Sequence, residues 1–277
     1  MQLPAELGGF LLAAACGAAW PGAARAQGDL LVAPTRVIVD GAGSKQVVLS
    51  NIGERQATYR ITLELRRMTP DGDIVDVPLT EASPAEKAAL AMVTYAPRRI
   101  TLQPGQPQAV RINVRPPAEL PAGEYRVHMR FAAVPEPAPV AAAADPQAPP
   151  SGLSIRLTPI YGITIPLIVR KGPLSAAATI NSISVRPEGK GGEMSLAMSR
   201  TGQRSLYGEI RVTAPGSREP LVLSRGIAIY AELTDRKLDL PVTAEQLTKL
   251  HGPVRVEYRE LPENGGKLIA GLDARLP

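Results

Sequence analysis

Over residues 153–169 the odd-numbered positions are Leu153, Ile155, Leu157, Pro159, Tyr161, Ile163, Ile165, Leu167 and Val169, whereas the even ones are mostly Ser154, Arg156, Thr158, Gly162 and Thr164. Alternation with a period of two over 17 residues describes a β-strand with one apolar face, roughly three times the ordinary length. A strand this long overruns its own sheet. Pro159 and Pro166 both lack an N–H, so the pattern predicts an edge or broken strand rather than one paired on both sides. Natural sheets blunt their apolar edges, and one left open implies that something else pairs with it. Two outcomes stay open at this point: the strand is lent to another chain, or it bridges two sandwiches and buries its odd face at home.

The rest of the chain also reads as β. From residue 28 on, short β-type runs separated by Gly, Pro and Asn turns recur at about 8 to 12 residues, which marks a sandwich or barrel. Residues 30–39, 45–50 and 57–67 are the first candidate strands, and Asp71-Gly72 is the tip of a hairpin turn over 68–73. Two short helices interrupt the pattern, each opened by a capping box: Ser83 with Glu86, and Thr243 with Gln246. Pro135, Pro137, Pro139, Pro146, Pro149 and Pro150 make 134–152 a loop, since prolines cannot enter a sheet interior. At 277 residues the chain suits two domains, with the hinge expected near Arg170-Lys171-Gly172-Pro173: one domain over 27–171 carrying the loop and the long strand, the other over 172–277.

Residues 1–26 resemble an export signal: an apolar run from Gly8 to Trp20 and Ala24-Arg25-Ala26 before Gln27, although Glu6 replaces the usual positive start. Cys16, the only cysteine, falls inside it, so cleavage leaves no thiol chemistry; a lipoprotein anchored through Cys16 is the alternative. The net charge of +5 is spread without a cluster of five or more Lys and Arg, which argues against nucleic acid as a partner. No catalytic, metal or cofactor pattern emerges. His128 and His251 are distant and have no cysteine to join them, Asp71, Asp73 and Asp76 lack the glutamate that closes a calcium loop, and the glycine clusters lack phosphate-loop spacing. An enzyme and a small-molecule substrate are therefore not expected.

Several segments in order resemble the PapD-like periplasmic chaperones of the chaperone-usher pathway. They are Ala33-Pro34-Thr35-Arg36-Val37-Ile38-Val39-Asp40-Gly41, Ser50-Asn51, Ala96-Pro97-Arg98-Arg99-Ile100-Thr101-Leu102-Gln103-Pro104-Gly105, Leu120-Pro121-Ala122-Gly123-Glu124-Tyr125-Arg126 and Leu167-Ile168-Val169-Arg170. The resemblance implies an all-β fold of two immunoglobulin-like β-sandwich domains in a boomerang arrangement, in the periplasm. Its implied partners are pilus or fimbrial subunits and an outer-membrane usher. Arg36 falls on the arginine that binds the client's terminal carboxylate, and the lent strand would offer Leu153, Ile155, Leu157, Tyr161 and Ile163. Glu124 and Arg170 fall on positions of an interdomain ion pair. Pro166 stands where the family has a second, lysine anchor, and Arg156, Arg98 and Arg99 are the candidate substitutes. The alternative from another class is a two-sandwich surface protein, structural or adhesive, that assembles with itself.

Overall fold

The computed structural model describes residues 30–135 and 160–277. The expected export signal with Cys16, most of the proline-rich loop, Arg156 and the candidates Leu153, Ile155 and Leu157 lie outside the described residues.

In chain order the first half contains β1 (Leu30–Ala33), β2 (Val37–Asp40), β3 (Gly43–Asn51), β4 (Ala57–Glu64), β5 (Arg66–Met68), β6 (Ile74–Asp76), α1 (Pro84–Ala91), β7 (Val93–Ala96), β8 (Arg99–Leu102), β9 (Pro107–Val114), β10 (Gly123–Ala133) and β11 (Gly162–Lys171). Two sheets, ordered β1-β3-β9-β7 and β2-β11-β10-β4-β8, face each other. Between them Val47, Leu49, Val110 and Ile112 meet Ile61, Val127, Met129, Ile165 and Leu167 in one core. The hairpin β5-β6 closes at Gly72, whose φ of 96° suits a residue without Cβ. Both helices begin at the boxes read from the sequence, Ser83 before α1 and Thr243 before α2 (Ala244–Lys249).

The second sandwich is built from β12 (Ala176–Glu188), β13 (Gly191–Gly202), β14 (Leu206–Thr213), β15 (Val222–Ile229), β16 (Asp235–Val242), β17 (Gly252–Arg259) and β18 (Leu268–Leu276), in sheets β12-β13-β16 and β15-β14-β17-β18. With aromatics at only 4% of the chain, its core relies on Met194, Leu196, Met198, Ile210, Val212 and Val256 beside Tyr258. Met68 and Ile168 of the first half are buried in this second core, so the two sandwiches share apolar surface.

The run 57–67 is split at Leu65 into β4 and β5, which belong to different sheets, and two further runs differ from their sequence pattern. The run 30–39 is not one strand: the chain changes sheets after Ala33, β1 pairing antiparallel with β3 and β2 pairing parallel with β11. Pro34 has no N–H to continue the first ladder, and the chain crosses there. The second difference concerns β11, which the prolines were expected to keep on an edge. β10 pairs with it from Gly162 to Lys171, and β2 pairs with its other side from Leu167 to Arg170. It is an interior strand there. Pro166 immediately precedes the first of those pairs, Leu167 with Val37, so its missing N–H removes no ladder bond to β2. Over 162–166 the edge away from β10 has no strand partner among the described residues.

The alternation has the home-burying outcome over its second half. Ile165, Leu167 and Val169 are buried in the first core and Ile163 packs against it, while Ile168 points the other way into the second. Of the large apolar side chains among the described residues of the run, Ile160 and Tyr161 remain outward, 57% and 47% exposed.

Candidate functional site: the cleft between the sandwiches

The change of sheets positions Arg36. It sits at the start of β2, level with the end of the open edge, and reaches into the second sandwich, where Nη2 donates to Ser205 Oγ at 3.1 Å. Its guanidinium carbon lies 4.6 Å from the Tyr207 ring centroid and 5.5 Å from that of Tyr230, within cation–π range. Nε is buried and has no hydrogen-bond partner among the described residues. Burial pushes the Arg36 pKa down, while Tyr230 and Glu124 oppose the shift; a guanidinium stays charged regardless. The site thus holds a desolvated cation with an unused donor.

Glu124 and Arg170 are cross-strand neighbours on β10 and β11, and Arg170 Nε donates to Glu124 Oε2 at 3.0 Å. Both belong to the first sandwich, so the pair does not itself span the domains. The link across comes from the Ser205 N–H, which donates to the same carboxylate oxygen at 3.1 Å. The segment that leads into Ser205 is held by Arg200, a buried side chain that donates to the carbonyls of Gly202, Arg204, Ala231 and Leu233 at 2.7–3.0 Å.

The ion pair that does span the domains escaped the sequence. Arg126 Nη1 donates to Glu232 Oε2 at 3.0 Å, Nη2 binds Oε1, and Glu232 also accepts the Met68 N–H at 2.9 Å. The Arg126 guanidinium lies over Tyr230 at 3.6 Å. An arginine on a strand and a glutamate in a turn, 106 positions apart, carry no local signal of meeting. Nearby, buried His128 meets Tyr230 edge to face at 6.5 Å. Burial, then the charges of Arg126, Arg66 and Arg36, lower its pKa to about 3, so it is neutral at ordinary pH.

Arg36, Arg170, Arg204, Leu206, Glu260 and Ile269 help line a cleft cavity of about 470 Å3. A larger concavity of about 750 Å3 lies over Ser44, Gln46, Thr94, Arg111 and Asn113 on the outer side of β3-β9-β7. The cleft is the stronger candidate, because burial there has left a cation incompletely paired among the described residues, and an anion relieves this with the strongest hydrogen bonds. Two proposed substitutes for the second anchor lie elsewhere: Arg98 is over Tyr95 at 5.3 Å, and Arg99 is on β8, at the opposite end of its sheet from β2. Tyr161 and Ile163 lie at the far end of the open edge, with Ile163 partly committed to the home core. Among the described residues no group of three or more His, Cys, Asp or Glu is placed to hold a metal ion, and no helix is long and apolar enough to cross a membrane.

No family model and no curated protein matches the chain. Among solved structures, the YadV chaperone is 17% identical with a TM-score of 0.47, covering 90% of this chain and 100% of that one. A chain of the CsuC–CsuE chaperone–tip adhesion subunit complex of Acinetobacter baumannii is 11% identical with a TM-score of 0.44, over 90% and 98%. A chain of the Salmonella enterica SafA pilin–SafB chaperone complex is 15% identical with a TM-score of 0.44, over 91% and 99%. At such distances these likenesses decide neither partner nor role.

Proposed function

We propose that this protein is a periplasmic chaperone, not a catalyst, that holds pilus subunits by lending them a strand and passes them to an outer-membrane usher. One observation carries the proposal: the open edge of β11 over 162–166 continues directly into the segment where β2 pairs in parallel, and Arg36 stands at the junction. A client strand added parallel on that edge runs toward Arg36 and ends there. Its carboxylate meets a guanidinium that is already desolvated and has an unpaired Nε.

Backbone hydrogen bonds along the edge give affinity indifferent to client sequence, and alternate side chains fill the client's open core. Because Ile165, Leu167 and Val169 are used at home, the lent row is the upstream one: Leu153, Ile155, Leu157 and Tyr161, with the rim of Ile163. At about 1.5 to 3 kcal/mol for each buried side chain, four or five contacts supply roughly 6 to 15 kcal/mol before ordering costs. That holds a client firmly and still releases it.

The test is co-expression with a candidate pilus subunit, followed by purification through a tag on the chaperone. The wild-type chain retains the subunit one to one. The double variant Ile155→Glu, Leu157→Glu stays folded and loses it. Retention by the double variant rules out strand lending.

A further inference from the structure

Which cation replaces the lysine expected at the Pro166 position follows from the pairing of the charges around the cleft. Arg170 is engaged by Glu124 and Arg126 by Glu232. Arg200 is consumed by backbone carbonyls, and Lys171 Nζ by those of Pro117, Ala118 and Leu120 at 2.6 Å. Arg204 differs. It lines the same cavity as Arg36, is half-buried, and its side chain makes neither an ion pair nor a hydrogen bond among the described residues. Glu260 and Glu263 line that cavity too and likewise leave Arg204 unpaired.

We infer that Arg204, from the second sandwich, is the second carboxylate anchor, so that the client terminus is clasped between Arg36 of one domain and Arg204 of the other. This rests on the chaperone reading of the cleft. The chemistry favours two cations over one: a carboxylate has two oxygens, and the Arg36 guanidinium already spends a donor on Ser205. The backbone is suitably stiff as well, since Arg200 grips the carbonyl of Arg204 at 3.0 Å. Placing the second anchor across the cleft makes capture depend on the relative position of the sandwiches, which an anchor on β11 would not do. Glu260 and Glu263 on the same cavity disfavour a terminus carrying acidic side chains next to its carboxylate.

The experiment uses the full-length protein and a synthetic peptide of alternating valine and threonine with a lysine-rich start, made as the free acid and as the C-terminal amide. Binding is followed by fluorescence anisotropy. Wild type prefers the acid, Arg36→Gln abolishes the preference, and Arg204→Gln weakens acid binding by about tenfold, the size of one charge-assisted hydrogen bond. Binding of the amide by Arg204→Gln is unchanged, and Arg204→Lys keeps most of the preference. If Arg204→Gln retains the wild-type ratio of acid to amide while Arg36→Gln loses it, the role of Arg204 is overturned and the cleft reading survives. If wild type does not distinguish acid from amide, or binds neither, the cleft reading itself fails and Arg204 with it.

Discussion

Replacing Glu232 by alanine probes the joint between the sandwiches. The carboxylate accepts two bonds from Arg126 and one from the Met68 N–H, with side-chain exposures of 8% for Arg126 and 30% for Glu232. Removing one partner of a fully buried pair costs about 3 to 5 kcal/mol because the other charge is stranded. Here solvent reaches Glu232, and Arg126 keeps its contact with Tyr230 and its bond to the Arg66 carbonyl at 3.1 Å. The expected loss is therefore nearer 2 to 4 kcal/mol. At about 2 to 4 °C per kcal/mol for a chain of this size, the melting midpoint falls by roughly 4 to 16 °C. Calorimetry adds a second readout. Met68 and Ile168 sit in the second core, so the intact protein unfolds in one transition, and Glu232→Ala broadens or splits it. A midpoint within about one degree of wild type, with the single transition kept, would refute the claim that this pair joins the domains.

The remaining predictions concern the same junction and the first helix. Glu124→Ala strands Arg170 and the Ser205 N–H and costs about 3 to 5 kcal/mol in denaturant unfolding, with Glu124→Gln milder because it keeps an acceptor. His128 has a folded pKa near 3 against an ordinary 6.5, so the unfolded chain binds the proton that the folded one refuses. Stability therefore falls as pH drops from about 6.5 towards 3, and His128→Leu flattens that part of the profile followed by circular dichroism. Glu86, lowered to about 2 by hydrogen bonds from Arg67, against the opposing effect of burial, and from Ser83, contributes stability present above its ordinary 4.5 and lost as the pH falls through about 2. Glu86→Gln removes that acid limb, whereas Ser83→Ala costs about 1 kcal/mol in thermal unfolding at neutral pH by removing the cap.

What the sequence alone determined is what neighbouring residues settle among themselves. The capping boxes at Ser83 and Thr243, the turn at Asp71-Gly72 and the apolar alternation of 163–169 all took the form their spacing required. Helix caps and strand faces depend on geometry within a few residues, so such signals survive without knowledge of the fold. Whether β11 was an edge was beyond that reach. Pro166 announced a missing N–H, but only the parallel arrival of β2 decided that the strand is interior from Leu167 and open before it. The same holds for Arg126 with Glu232 and for Arg204 on the same cavity as Arg36: each case brings together segments more than a hundred residues apart. Such meetings are decided by how two sandwiches settle on shared apolar surface, Ile168 and Met68 above all, and no local spacing encodes where that surface brings charges together.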